Sequence, residues 1–150
     1  MRFYNREKEL ASLEKVRQVS FSIHSQMTVL TGRRRIGKTS LILKSCEGTP
    51  TVYLFVSRSN ETDLCFGFTA EIRQSLNIYV PEFTNFAELF RFLMDLGTRM
   101  KYNLIIDEFQ EFYYINPVVY SLMQDVWDRY RKQSHVNLVV SGSIYTLMNQ

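Results

Sequence analysis

The sequence is poor in cysteine, histidine, proline and tryptophan, with two, two, three and one in 150 residues. Cys46 and Cys65 do not make a disulfide framework, and with His24 and His135 they give no zinc-ligand spacing. Both are expected as free thiols in a reducing compartment, by default the cytoplasm. No apolar stretch of leader length stands near Met1, and no apolar run approaches the roughly 18 residues of a membrane-crossing helix, so no membrane partner is expected. Repeats, low-complexity tracts and Gly/Ser/Pro linkers are missing too, and residues 1–150 are expected to form one domain. Charge is close to balanced. Eighteen Lys and Arg against fifteen Asp and Glu leave +3, too little by itself to point to nucleic acid.

What is present suits a packed globule. The chain is 45% hydrophobic and 22% charged, with eleven Phe and nine Tyr to fill a core, which excludes wholesale disorder. Residues 5–19 read as a helix, with Asn5 as N-cap, Glu7 and Glu9 in the acidic first turn, and Leu10, Leu13 and Val16 on one face. Met27 to Thr31 reads as a short buried strand, followed by a Gly-rich turn and a helix from Gly37 to Lys44. Thr51 to Val56 is a second strand by its β-branched and aromatic content. Residues 62–76 are helical by the spacing of Cys65, Phe68, Ile72 and Leu76. Asn85 and Glu88 resemble a capping box ahead of the stripe Phe86, Leu89, Phe90 and Leu93, which ends near Gly97. Asn103 to Ile106 is a third strand, apolar enough for burial on both faces. Asn116-Pro117 opens a helix with Val119, Leu122, Met123 and Val126 inward. Val136 to Val140 is a fourth strand, and Ser141-Gly142-Ser143 turns the chain toward a further helix. Strands alternating with helices predict an α/β domain with a parallel sheet and right-handed crossovers.

The chemistry sits where strands end. Gly32-Arg33-Arg34-Arg35-Ile36-Gly37-Lys38-Thr39 has the P-loop pattern of two glycines flanking four residues, then Lys-Thr. Gly32 and Gly37 permit turn conformations that side chains forbid, so backbone N–H groups can point inward around phosphate oxygens at a helix N-terminus. Lys38 would reach the β- and γ-phosphates, the Thr39 hydroxyl would ligate Mg²⁺, and Ser40 completes the stretch expected to bind nucleotide. The alternative is a chance Gly-rich turn, and the flanking strand and helix argue against it. Arg33, Arg34 and Arg35 either add positive potential or point to solvent, the second reading being favoured for at least two of them. No arginine finger can be assigned.

Leu104-Ile105-Ile106-Asp107-Glu108 has the form of a Walker B element. A buried strand would deliver Asp107 beside the P-loop, to hold Mg²⁺ through water, and Glu108 would orient or deprotonate an attacking water. Both acids could instead merely cap a strand. Ser141, with Ser143 second, is the candidate polar sensor at the end of the later strand; an ordinary Ser-Gly-Ser turn is the alternative. Gln110 either touches the water network of the site or lies at a helix start. Phe83, Phe86, Phe90, Tyr113 and Tyr114 read as core aromatics rather than a stacking platform for bases.

With these residues in hand, the sequence resembles the archaeal-type ATPase family, P-loop proteins of the AAA/STAND neighbourhood. The matching pieces are Phe3-Tyr4-Asn5-Arg6-Glu7-Lys8-Glu9-Leu10, Gly32 to Thr39, Ile106-Asp107-Glu108-Phe109-Gln110 and Val140-Ser141-Gly142-Ser143, in order over nearly the whole chain. The resemblance implies a three-layer αβα P-loop NTPase fold of the ASCE/AAA type, with sheet order 5-1-4-3-2. It also implies ATP and Mg²⁺ as ligands, and Phe3, Tyr4 and Arg6 near the base. Members continue past the position of Gln150 into a fifth core strand and a lid. Residues 1–150 are therefore expected to be the N-terminal part of a larger ATPase domain. Met27 to Thr31 would then be a bare sheet edge, with marginal stability or self-association as the consequence. The expected function is ATP binding and Mg-dependent hydrolysis, slow in this stretch alone. The alternatives are a nucleotide-gated switch or scaffold and, less favoured because of Glu108, a small-molecule kinase. Nucleic acid enters only by family analogy, through regions outside residues 1–150.

Overall fold

The computed structural model describes residues 6–31 and 37–142. Positions 1–5, 32–36 and 143–150 lie outside the described residues, and with them the expectations for the Asn5 cap, Phe3, Tyr4, Gly32, Arg33, Arg34, Arg35, Ile36 and Ser143.

Among the described residues, six α-helices and four strands follow one another as α1 (Arg6–Ser22), β1 (Gln26–Thr31), α2 (Lys38–Ser45), β2 (Thr51–Phe55), α3 (Glu61–Leu76), α4 (Phe86–Leu96), β3 (Tyr102–Asp107), α5 (Phe112–Ile115), α6 (Val118–Tyr130) and β4 (Val136–Gly142). A 3-10 turn, Phe109–Glu111, links β3 to α5. The strands form one sheet in the order β1-β4-β3-β2, all pairings parallel. That is the expected order for the four strands described.

The period-2 alternation of the central strands divides the molecule into layers. Leu104 and Ile106 of β3, with Leu138 and Val140 of β4, face a large core built with α3, α4 and α6. Ile105 and Val139 face the other way, onto Ile42 of α2 and Cys46 just past its end. Every residue of β3 and of β4 is buried, as a strand covered on both faces requires. The larger core is aromatic, and Phe86 packs against Phe68, Phe90 and Phe112. Buried on both faces, β3 and β4 hold their C-terminal ends in fixed register, and Asp107, Glu108 and Ser141 stand there.

Local signals act as their chemistry dictates. The Asn85 side chain accepts from the Glu88 amide at 3.0 Å and caps α4. Asn60 does the same for α3, accepting from the Asp63 amide at 2.8 Å. Asn116 accepts from the Val118 amide at 3.3 Å ahead of α6, with Pro117 in helical geometry. Several expectations need correction. Leu122, expected inward on α6, is 41% exposed. Met27 to Thr31, expected as a buried strand, is a partly exposed edge. Ser141 and Gly142, expected in a turn, continue β4. Tyr113 and Tyr114 are not core residues but about half exposed, because α5 is a single turn that buries only Phe112. The Tyr114 ring instead carries the Arg58 guanidinium, whose carbon lies 3.9 Å from the ring centroid.

Among the described residues, β1 pairs on one side only. Its Val29 is 52% exposed and its Met27 39% exposed, so the edge is apolar as well as open. No described helix is long and apolar enough to cross a membrane.

Candidate active site

Three adjoining strand ends and the start of one helix converge on the Asp107 carboxylate. β1 ends at Thr31 and α2 starts at Lys38, on either side of the glycine-bearing stretch. Gly37 caps that helix at φ 74°, a left-handed conformation that glycine adopts without a Cβ penalty. Its carbonyl accepts the Leu41 amide and also the Arg6 guanidinium, at 3.2 Å. The start of α1 thus leans on Gly37, just ahead of α2. Arg6, which the family resemblance places near a base, makes this backbone contact. A Cβ on Gly37 would fall 2.8 Å from Arg6 Nη1, so the contact also needs the bare Cα.

Lys38 is buried and donates through Nζ to the Gly142 carbonyl at 3.1 Å, at the C-terminal end of β4. Thr39 is half-buried, and its hydroxyl donates to Asp107 Oδ2 at 3.0 Å. Ser40 stands exposed one position later.

Asp107 accepts four hydrogen bonds, two on each oxygen. Oδ1 takes the Glu108 amide at 2.9 Å and the Ser141 hydroxyl at 3.1 Å. Oδ2 takes the Thr39 hydroxyl and the Tyr53 phenol, the latter at 2.5 Å. A carboxylate has about four lone-pair sites, so this set fills it. Four donors thus replace the water that burial takes from this carboxylate. Ser141 is fully buried, with its hydroxyl directed at this carboxylate.

Tyr53 is the residue that sequence reasoning treated only as a strand aromatic. It pairs with Ile105 in β2–β3 register, two residues before the rung that joins Phe55 to Asp107. That spacing keeps Tyr53 on the Asp107 face of the sheet. Burial first, then the bond to Asp107 and its charge, push the phenol well above the usual tyrosine range. Tyr53 therefore remains a donor throughout the physiological range.

Glu108 has φ 56° and ψ 43°, one of two non-glycine residues with positive φ among those described. For a residue with a Cβ, the left-handed region costs about 1–2 kcal/mol. Such outliers concentrate where a side chain must be aimed. The turn of the backbone sends Glu108 away from the strand direction, and its carboxylate accepts from Gln110 Nε2 at 2.9 Å. Both residues are buried. Gln110, for which the sequence left two readings, follows the second, and it also bonds to Glu108.

The oxygen chemistry fits a hard divalent cation. The Thr39 hydroxyl and Asp107 carboxylate meet side by side, and no cluster of three or more His, Cys, Asp or Glu ligands exists among the described residues. One or two protein oxygens supplemented by phosphate and water are the usual Mg²⁺ environment, not an all-protein cage.

Known proteins share this architecture. The chain is 32% identical over 149 residues to an uncharacterised protein, MJECL04, of Methanocaldococcus jannaschii, covering 99% of this chain and 31% of that protein. A Walker-type ATPase of Pyrococcus abyssi, PABY2304, superposes with a TM-score of 0.69 at 20% identity, over 96% of this chain and 47% of that one. Cdc6p of Pyrobaculum aerophilum gives 0.63 at 21% identity, over 99% and 41%. The ORC2 protein of Aeropyrum pernix gives 0.66 at 18% identity, over 99% and 43%. The chain thus spans under a third of the curated relative and under half of each of these solved structures. At such identities the structures share a fold, the α/β fold of P-loop ATPases. The family model describing an ATPase domain predominantly from Archaea matches residues 3–150, and the chain belongs to that family.

Proposed function

We propose that the chain binds ATP with Mg²⁺ and hydrolyses its terminal phosphoanhydride. The observation that carries this reading is the meeting of Thr39 with Asp107 at 3.0 Å, beside buried Lys38 and next to Glu108. The Aeropyrum pernix ORC2 neighbour was solved as ADPNP–ADP complexes, which supports an adenine nucleotide as ligand.

In this reading, residues Gly32 to Ser40 take the triphosphate. Backbone amides and the N-terminus of α2 face the phosphate oxygens. Lys38 exchanges its bond to the Gly142 carbonyl for the β- and γ-phosphates, which offer full negative charge in place of a carbonyl dipole. Thr39 Oγ1 and, through water, Asp107 would hold Mg²⁺, which supplies neutralisation of charge on the β- and γ-phosphate oxygens. Tyr53 and Ser141 act through Asp107, fixing the plane of its carboxylate from opposite oxygens. Glu108 orients the water and accepts its proton as the water oxygen bonds to the γ-phosphorus. The bond from that phosphorus to the β–γ bridging oxygen breaks, and ADP and inorganic phosphate leave. Positioning and electrostatics supply the rate.

The test uses the full-length protein. Glu108→Gln is expected to keep ATP affinity by calorimetry and to lose phosphate release. Persistent turnover in that variant would remove Glu108 from its role. Absence of ATP binding by the unsubstituted protein would refute the whole reading.

A further inference from the structure

We infer that Gln110 is the positioning residue for Glu108, and that Gly142 is small in order to leave room for the Gln110 amide; this rests on the hydrolytic reading above. Two carboxylates determine which way the amide points. Nε2 lies 2.9 Å from Glu108 Oε1 and 3.4 Å from Glu111 Oε2, where an amide oxygen would be repelled. The opposite end of the amide, Oε1, is therefore directed at β4. There the Cα of Gly142 carries no side chain, and a Cβ built on it would fall 2.2 Å from Gln110 Oε1. That overlap is with the tip of a side chain, so an alanine here moves the amide rather than the backbone. The same Gly142 accepts Lys38 Nζ through its carbonyl. One residue of β4 thus touches the P-loop lysine by its backbone and the partner of Glu108 by its missing side chain.

The arrangement answers a need set by the backbone. Glu108 leaves β3 in a left-handed conformation, and a glutamate has three side-chain torsions to fix. Asp107 next to it is held by four bonds, one from the Glu108 amide itself. Gln110 follows in the 3-10 turn that Glu108 caps, so its amide is carried on the same short segment as the carboxylate it holds. Glu111 is paired in turn with Arg58 at 2.9 Å, which directs that second carboxylate outward. Water orientation by Glu108 depends on the direction of its carboxylate, and Gln110 sets that direction.

The experiment is a double-mutant cycle in the full-length protein, read by steady-state turnover, ATP calorimetry and thermal unfolding, with Glu108→Gln as reference. Gln110→Ala is expected to lower kcat about tenfold to a hundredfold, the scale of a misdirected catalytic group, with the ATP Kd unchanged. Gly142→Ala is expected to lower kcat similarly, and to lower the melting temperature by about a few degrees. The double variant should be no slower than Gln110→Ala, and its melting temperature should recover, because the alanine methyl then enters vacated space. A kcat in Gln110→Ala equal to or above that of the unsubstituted protein, while Glu108→Gln is inactive, overturns the positioning role and leaves the hydrolytic reading standing. Multiplicative losses in the double variant overturn the Gly142 part. Full turnover in Glu108→Gln overturns both.

Discussion

Removing the acid at the centre of the site separates its structural and metal-binding duties. Asp107→Asn keeps the shape and removes the charge. One side of the new amide must be oxygen and the other nitrogen. The Glu108 amide can only donate, so the oxygen takes the Oδ1 side, with Glu108 N and Ser141. The amide nitrogen then faces the Thr39 and Tyr53 hydroxyls, which can rotate to accept. No buried group is left without a partner, and the loss of charge assistance is offset by easier burial. The expected destabilisation is about 1 kcal/mol or less. Asp107→Ala differs. It takes the side-chain acceptor away from the Glu108 amide, which cannot turn, and from three hydroxyls at once. An unmet buried N–H costs about 1–3 kcal/mol, and the emptied site adds to it, so a loss of about 2–4 kcal/mol is expected. Urea unfolding measures both values. ATP titrations with and without Mg²⁺ then report the second duty. Both variants should bind ATP with an affinity that Mg²⁺ no longer improves. If Asp107→Asn proved as destabilising as Asp107→Ala, the hydroxyl groups would not adapt as argued and the four-bond account would be wrong.

Further expectations concern single groups. Tyr53→Phe keeps the ring and removes the bond to Asp107; it should cost about 1 kcal/mol in urea unfolding and weaken the response of ATP binding to Mg²⁺, and no change in either would deny the phenol its role. Asn85→Ala removes the α4 cap and should lower stability by about 1 kcal/mol without touching ATP affinity, which chemical denaturation and calorimetry together would check. Both cysteines are buried, and burial raises both thiols, Cys65 to about 12. Native protein should therefore resist a thiol-specific chromogenic reagent until it is unfolded; prompt labelling would contradict the packing described. The sign of the pH effect follows from the same shift. Below about pH 9 the Cys65 thiol is protonated in both states and costs nothing, whereas from there up to about 12 the unfolded chain ionises and the native one does not, so stability falls. Cys65→Ala should lose less stability over that alkaline range than the unsubstituted protein.

The parts legible in the sequence are those whose signals are local. β3 is an apolar run ended by two acids, and both the strand and the delivery of Asp107 to its end follow from that pattern. Caps such as Asn85 and Asn116 are legible because the partner is two or three residues away. Gly37, Lys38 and Thr39 are legible through spacing. Pairing across strands was out of reach. Nothing in Thr51 to Phe55 says that Tyr53 reaches a carboxylate 54 residues on, since that depends on β2–β3 register. Ser141 was singled out for its place at a strand end, but its bond to Asp107 needs β4 to lie beside β3. Tyr113 and Tyr114 were misplaced because one turn of helix has no period from which to read an inward face. Gln110 stayed between two readings because its partner is set by the left-handed turn at Glu108, a backbone state that side-chain pattern does not encode.

The most direct test of the account is calorimetric titration of the full-length protein with ATP and Mg²⁺, beside Lys38→Ala. Lys38 is bonded to the Gly142 carbonyl at one strand end, and circular dichroism checks that the variant folds. The account predicts saturable binding by the unsubstituted protein and no measurable binding by the folded variant. Equal affinity in the two would contradict the assignment of the phosphates to Lys38 and the turn before it.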